Sequence, residues 1–173
     1  MNNNLPNISL VLGGARSGKS QFAENLALKT ELDPYYFATS QAYDTEMKDR
    51  ISKHQIDRGD LWATLEEPLE LSTLLLSEAR PERIILVDCL TLWVTNLMMA
   101  EKDIVDEFRD FIDTLHKLNG PVIFVSNEVG QGIVPDNAMA RAFRDYAGRL
   151  HQDIAAIADD VYFITAGLQQ RLK

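Results

Sequence analysis

Short apolar runs alternate with longer segments of mixed polarity along this chain. Ile8-Ser9-Leu10-Val11-Leu12 reads as a buried strand, and residues 19–29 as the helix that follows it. Tyr35-Tyr36-Phe37-Ala38 is a short second strand, 44–57 a polar helix, 61–65 a further strand and 70–79 a helix. Arg83-Ile84-Ile85-Leu86-Val87-Asp88 is the clearest central strand, apolar through its middle and stopped abruptly by a carboxylate. The pattern then predicts helices over 90–100 and 103–118, a strand over 121–125, a long helix over 137–158 and a last strand over 161–164. Strands that are apolar at nearly every position are buried on both faces. Their alternation with helices predicts an α/β fold whose mainly parallel sheet carries helices on both sides. Ligands of such sheets gather at the carboxyl ends of the strands. The loop after residue 12, Ala38-Thr39-Ser40, Asp88 and Ser126-Asn127-Glu128 all fall at that edge.

The first of these loops carries the most specific chemistry. Gly13-Gly14-Ala15-Arg16-Ser17-Gly18-Lys19-Ser20 meets the phosphate-loop pattern G-x-x-x-x-G-K-[ST] at every fixed position, between a strand and a helix as the motif requires. The four fixed positions should coincide by chance on the order of 0.01 times in a chain of this length. Glycines let backbone N–H groups converge on a polyphosphate, and the helix N-terminus adds partial positive charge. Lys19 is placed to reach the β- and γ-phosphates and Ser20 to ligate Mg²⁺ through its hydroxyl. The motif sharpens the fold expectation to a P-loop NTPase-like, RecA-like sheet. Asp88, at a strand end, is the expected second contact to Mg²⁺ or its waters.

Composition narrows the class. A chain of 173 residues is expected to form one domain, 1–173, with a real core. Net charge is −9, from 26 acidic and 17 basic residues, which argues against a general nucleic-acid surface. No run approaches 18 apolar residues, so no membrane span is expected. Met1-Asn2-Asn3-Asn4 lacks the character of a signal peptide and reads as a frayed extension, and the single cysteine, Cys89, fits a reducing cytoplasm. Cys89 sits in an apolar segment and reads as a small core residue rather than a nucleophile.

Three further groups could carry chemistry. On a helix Arg50, His54 and Arg58 recur every four residues along one face, where two guanidiniums would suit an anionic ligand and keep the imidazole neutral. By spacing alone that is weak evidence, because a histidine in a charged helix is more often solvated. His116 and His151 have no such setting and are expected at the surface. Trp62 and Trp93 read as core or pocket walls, and Arg141, Arg144 and Arg149 as a solvated helix face, with a phosphate or subunit contact as the sharper alternative.

Taken together, the motifs form an ordered set. It runs through the glycine loop, Ala38-Thr39-Ser40-Gln41, Arg50-Ile51-x-x-His54-x-x-x-Arg58 and Trp62-x-x-x-Glu66. It continues through Ser126-Asn127-Glu128-Val129-Gly130-x-Gly132-Ile133-Val134-Pro135 and closes on Arg141-x-Phe143-Arg144-Asp145-x-x-Gly148-Arg149. This set, spanning nearly the whole chain, resembles the bifunctional adenosylcobinamide kinase/adenosylcobinamide-phosphate guanylyltransferase family of cobalamin biosynthesis. The resemblance implies phosphorylation of the hydroxyl on adenosylcobinamide's aminopropanol arm by ATP or GTP. It also implies attack of a histidine on GTP and transfer of GMP to adenosylcobinamide phosphate, giving adenosylcobinamide-GDP. By position it makes His54 the guanylylated histidine. It makes residues 13–20, Ala38, Thr39, Ser40, Gln55, Ile56, Asp57, Arg58, Glu66 and Asp88 nucleotide contacts. A homo-oligomer is implied as well. The chain departs from the family where Arg58 is followed by Gly59 rather than the frequent Pro, and Asp88 stands where some members have Glu; neither change removes a required functional group.

Two other functions use the same loop. A single-activity small-molecule kinase would give His54 no covalent role. A non-enzymatic nucleotide switch is disfavoured because no Asn-Lys-x-Asp guanine-recognition segment occurs; Asn127-Glu128 is not one.

Overall fold

The computed structural model describes residues 7–40 and 61–173. The helix expected over 44–57, and with it His54, Gln55, Ile56, Asp57, Arg50 and Arg58, lies outside the described residues, as does the N-terminal extension. The described strands are β1 (Ile8–Gly13), β2 (Asp33–Ala38), β3 (Ala63–Glu66), β4 (Arg83–Asp88), β5 (Val122–Asn127), β6 (Asp160–Thr165) and β7 (Leu168–Arg171). The helices are α1 (Lys19–Leu28), α2 (Leu71–Glu78), α3 (Leu90–Met99), α4 (Ile104–Leu115) and α5 (Ala138–Ile157). The strands form one sheet in the order β3-β2-β4-β5-β1-β6-β7, parallel except for the antiparallel β6–β7 pair.

The two faces of the sheet are sorted by the alternation of side chains along each strand. Leu10, Leu12, Phe37, Ile85, Val87, Val122 and Phe124 point into one layer with α2, α3, α4 and α5. Val11, Tyr36, Leu86, Ile123 and Val125 point into the other, against Ala23 and Ala27 of α1 and against Trp62. The first layer is aromatic at its centre: the Phe111 ring lies 4.8 Å from Trp93 and 5.6 Å from Phe124. Both tryptophans are therefore core walls, with Trp62 edge-on to Tyr36.

Local chemistry explains the helix limits. α4 buries Ile104, Phe108, Phe111 and Leu115, a repeat that keeps one stripe inward, and its N-cap Asp103 accepts from the Val105 and Asp106 amides. Asn137 caps α5 by accepting from the Ala140 amide at 2.7 Å. Pro34 is tolerated inside β2 because β3 pairs only with Tyr35–Ala38, so the missing N–H falls beyond that ladder.

Two features depart from the sequence reading. β7 follows β6 through Ala166 and Gly167, both with positive φ (53° and 77°), as a tight hairpin turn demands. It was not expected because an exposed edge strand of Leu168-Gln169-Gln170-Arg171 has no apolar face to reveal it. His151, expected at the surface, is buried: it sits on the inward side of α5, and its Nε2 lies 2.7 Å from the Ser126 hydroxyl. Ala147, Leu150 and Ile154 share that stripe, so helical periodicity carries the ring inward whatever its polarity. His116 is exposed, as expected.

Burial holds the His151 imidazole below its ordinary range, with the Glu128 carboxylate partly opposing. The unfolded chain therefore takes up a proton near pH 6.5 that the folded chain resists. This group's effect on stability is flat above that pH, and stability falls as pH drops from there toward the folded value. His151→Gln keeps a group that can bond Ser126 but removes the titration. Between about pH 7.5 and about pH 5.5 the wild type should lose more of its urea midpoint than the variant. Equal losses would show that proton uptake at this ring does not weaken the fold.

Candidate phosphate-transfer site

The glycine loop leaves β1 at the carboxyl edge and enters α1 at Lys19. Gly18 caps the helix at φ 93°, a conformation that favours glycine, and no side chain bonds the free amides of the first turn. That turn carries no acidic residue of its own to offset the positive helix end. Arg16 also lies at positive φ (54°), on the exposed crown of the loop. Lys19 is almost enclosed, and its ammonium donates to the Gly14 carbonyl at 3.1 Å, curled over its own loop.

The loop is braced from beneath. A Cβ on Gly13 would lie 2.6 Å from both the Ile164 carbonyl oxygen and the Ser17 hydroxyl, so only glycine fits where β1 meets β6. The Ser17 hydroxyl is buried without a hydrogen-bond partner among the described residues, while the Ser17 carbonyl accepts from the Gly167 amide at 2.8 Å. The β6–β7 turn thus holds the loop's shape.

On the other side of β1 the sheet edge collects the remaining groups. Parallel register places Ala38 level with both Asp88 and Glu66, and Gly13 level with Asn127. Thr39 fastens this edge. Its hydroxyl donates to the Cys89 carbonyl at 2.7 Å and accepts from the Cys89 amide at 2.9 Å; its own carbonyl accepts from Asn96 Nδ2. Thr39 is wholly buried and its amide bonds the Asp88 carbonyl, so it holds the end of β4 rather than reaching solvent; Asp88 and Ser40 are half-buried there and Glu66 is exposed. Asn127 Nδ2 donates to Thr91 Oγ1 at 2.9 Å, tying the end of β5 to the start of α3. Asn96, Thr91 and Gly167 were not anticipated; of these only Gly167, in a two-residue turn, carried a readable signal.

Burial, with the Asp88 carboxylate beside it, pushes the Cys89 thiol up to about 11, while the Lys19 ammonium works in the opposite direction. Cys89 is therefore a neutral core thiol and no nucleophile. Lys19, which follows β1, and Asp88, which ends β4, both stand at the carboxyl edge of the sheet, with β5 between their strands. Among the described residues no three carboxylate, imidazole or thiol groups cluster as a metal cage. Ser20 at the start of α1 and Asp88 at the end of β4 are oxygen donors of the kind that fits Mg²⁺, an ion that keeps several waters and takes other oxygens from phosphates.

Arg141 donates to the Pro135 and Asp136 carbonyls at the start of α5, Arg144 pairs with Asp145, and Arg149 with Asp153. These are local contacts, and of the three only Arg149 is exposed; Arg141 and Arg144 are half-buried, so the helix does not present them as one solvated face.

The profile of the cobinamide kinase / cobinamide phosphate guanyltransferase family matches residues 9–172. A bifunctional adenosylcobalamin biosynthesis protein, CobP, of Pseudomonas aeruginosa is 48% identical over 166 residues, covering 95% of this chain and 96% of that one. The CobU protein of the same description from Salmonella typhimurium is 41% identical over 179 residues, covering 95% and 98%. The one from Escherichia coli is 37% identical with the same coverage. Among solved structures, the flagellar accessory protein FlaH of Methanocaldococcus jannaschii aligns over 96% of this chain and 78% of its own, with a TM-score of 0.52 at 14% identity. A type III secretion ATPase of pathogenic bacteria aligns over 95% and 56%, with a TM-score of 0.57 at 10% identity. At those identities the structures speak for the fold alone, and that fold is the P-loop NTPase, RecA-like one.

Proposed function

The chain belongs to the cobinamide kinase / cobinamide phosphate guanyltransferase family, and from that premise we propose how its residues divide two transfers at one phosphate loop. It is a bifunctional enzyme that acts on cobinamide and then on cobinamide phosphate, with nucleotide as the donor. In our reading the substrate is the adenosylated corrinoid, and ATP or GTP serves the first step. The whole chain works as one nucleotide-binding domain, in the cytoplasm and as a homo-oligomer. No described helix is long and apolar enough to cross a membrane.

The observation that supports the reading is that Lys19, the α1 amides and Asp88 all stand at the carboxyl edge of one sheet, after β1 and β4. In the kinase step the loop amides of residues 13–20 and Lys19 hold the donor's phosphates and draw charge off the leaving group. Ser20 and Asp88 would hold Mg²⁺, which would offset the negative charge of the phosphates. The corrinoid hydroxyl then attacks the terminal phosphorus: its O–P bond forms as the bond to the nucleoside diphosphate breaks, and its proton passes to solvent.

In the second step His54 attacks the α-phosphorus of GTP. An N–P bond forms, the bond to pyrophosphate breaks, and the loop retains the pyrophosphate. The corrinoid phosphate then displaces the imidazole and carries GMP away. Gln55, Ile56, Asp57, Arg58, Ala38, Ser40 and Glu66 complete the nucleotide contacts in this reading, while Thr39, whose hydroxyl is bonded to Cys89, holds the edge from beneath.

The test is incubation with GTP labelled in its α-phosphate, followed by mapping of the adduct. We expect one label on protein, labile to acid and stable to base as a phosphoramidate is. A protein that phosphorylates cobinamide yet takes no label would be a single-activity kinase. One that binds GTP and does neither would be a switch.

Asp88→Asn removes the charge that would favour the cation. The Mg²⁺ concentration for half-maximal phosphorylation should rise by about tenfold or more. An unchanged Mg²⁺ titration would make Asp88 a solvated strand end.

A further inference from the structure

A peptide unit is planar and trans, so its N–H and its C=O point in opposite directions. Whatever holds the carbonyl of one loop residue therefore aims the amide of the next. In the glycine loop the peptide joining Ser17 to Gly18 is held in this way. The Ser17 carbonyl accepts from the Gly167 amide, in the β6–β7 turn, at 2.8 Å. The Gly18 N–H of the same peptide is turned away from the hairpin and bonds no backbone carbonyl among the described residues.

The loop's other ties are longer, absent or released by a ligand. The Ser17 amide reaches the Gly14 carbonyl only at 3.3 Å, and the buried Ser17 hydroxyl bonds nothing among the described residues. The Lys19 ammonium sits on the Gly14 carbonyl at 3.1 Å, a bond it gives up when it turns to a phosphate. The turn that supplies the Gly167 amide is itself anchored elsewhere. Thr165 pairs with Leu168 and Tyr162 with Arg171 along the β6–β7 ladder. Arg171 forms an ion pair with Asp160, and Lys173 donates to the Ala155 and Ala156 carbonyls at the end of α5. Gly167 stands at φ 77°, where side chains are strained, and a Cβ on Gly18 would come within 3.3 Å of its Cα.

We propose that Gly167 is a positioning residue for both transfers: its amide, fixed to the Ser17 carbonyl, turns the Gly18 N–H into the phosphate cradle. The proposal rests on the loop reading above and adds a residue of a distant hairpin that presets the cradle before a ligand arrives. Preset amides need no reorganisation when a phosphate binds or when charge develops on the leaving group. Gly167 touches no substrate and acts only through the Ser17–Gly18 peptide.

The experiment measures calorimetric affinity for Mg²⁺-pyrophosphate on the full chain and four variants, each well below its thermal midpoint. Gly167→Val puts a β-branched side chain at positive φ, which displaces the turn and its amide. Gly167→Ala strains the same turn less. Gly167→Asn keeps the N–H, asparagine tolerates the left-handed region, and a Cβ there meets nothing within 4 Å. Arg171→Ala removes the ion pair to Asp160 and loosens the hairpin away from the loop. We expect pyrophosphate to bind about tenfold or more weaker in Gly167→Val and about threefold weaker in Gly167→Ala. Gly167→Asn should recover binding to within about twofold of wild type, and Arg171→Ala should match it. Affinities within twofold of wild type in both Gly167→Val and Gly167→Ala overturn the proposal and leave the loop reading standing. Weakening in Arg171→Ala equal to that in Gly167→Val overturns it too, because any loosening of the hairpin would then suffice. So does equal weakening in Gly167→Asn, whose amide is kept. Wild-type protein that fails to bind pyrophosphate overturns the loop reading itself, and the positioning role with it.

Discussion

His54→Asn is expected to abolish labelling of the protein by α-labelled GTP and to cut GMP transfer at least about a thousandfold. An amide has no lone pair nucleophilic enough to replace the imidazole nitrogen, so the covalent route closes altogether. The same variant should phosphorylate cobinamide within a few-fold of wild type, because that step needs the loop, the cation and a placed acceptor. Two controls bracket the result. His116→Asn alters an exposed ring and should leave both activities intact. His151→Asn should still label, although it loses the buried bond to Ser126 and is expected to melt earlier. Labelling of the His54 variant would sink the assignment. Loss of both activities together would instead make His54 a structural or nucleotide-binding group.

Lys19→Ala should lower phosphorylation of cobinamide by at least a factor of about 100, or about 2.7 kcal/mol of transition-state stabilisation. Lys19 is nearly enclosed, and its ammonium lies against the Gly14 carbonyl, within the loop it would neutralise. A small reach would bring it to a phosphate held by the same amides. Because the loop also retains pyrophosphate in the second step, formation of the His54 adduct should slow as well. The measurements are steady-state phosphorylation and the single-turnover labelling rate. Activity within a few-fold of wild type in both would remove Lys19 from the chemistry.

The two variants separate the halves of the enzyme. Losing Lys19 should impair both transfers, losing His54 only one. A simple kinase would show no such asymmetry.

Much of the architecture was legible because buried parallel strands leave an unmistakable pattern. Ile84 to Val87 can be apolar at every position only if both faces are covered, and the sheet places α1 on one face and α2 to α5 on the other. The loop was legible for a different reason: its glycines and Lys19 stand at spacings fixed by the geometry of a phosphate. Caps such as Asp103 and Asn137 marked helix starts, because a short polar side chain satisfies amides the helix cannot.

Other features had no local signature. β7 is polar and exposed, and it exists because β6 offers an open edge and Ala166-Gly167 can turn within two residues. His151 reads as surface until the stripe of Ala147, Leu150 and Ile154 is seen to face β5. Thr39 stands in a nucleotide-contacting position by sequence, but whether its hydroxyl meets ligand or protein depends on how close β2 lies to the end of β4; packing gave it to Cys89. By itself the sequence determined the strand and helix order, the phosphate loop and the family's motifs, because each depends on residues near in the chain or at set spacings. Only the tertiary structure decided the strand order, the placing of Lys19 and Asp88 at one sheet edge and the grip of the β6–β7 turn on the glycine loop. Those depend on contacts between segments far apart in the chain, whose pairing no local propensity encodes.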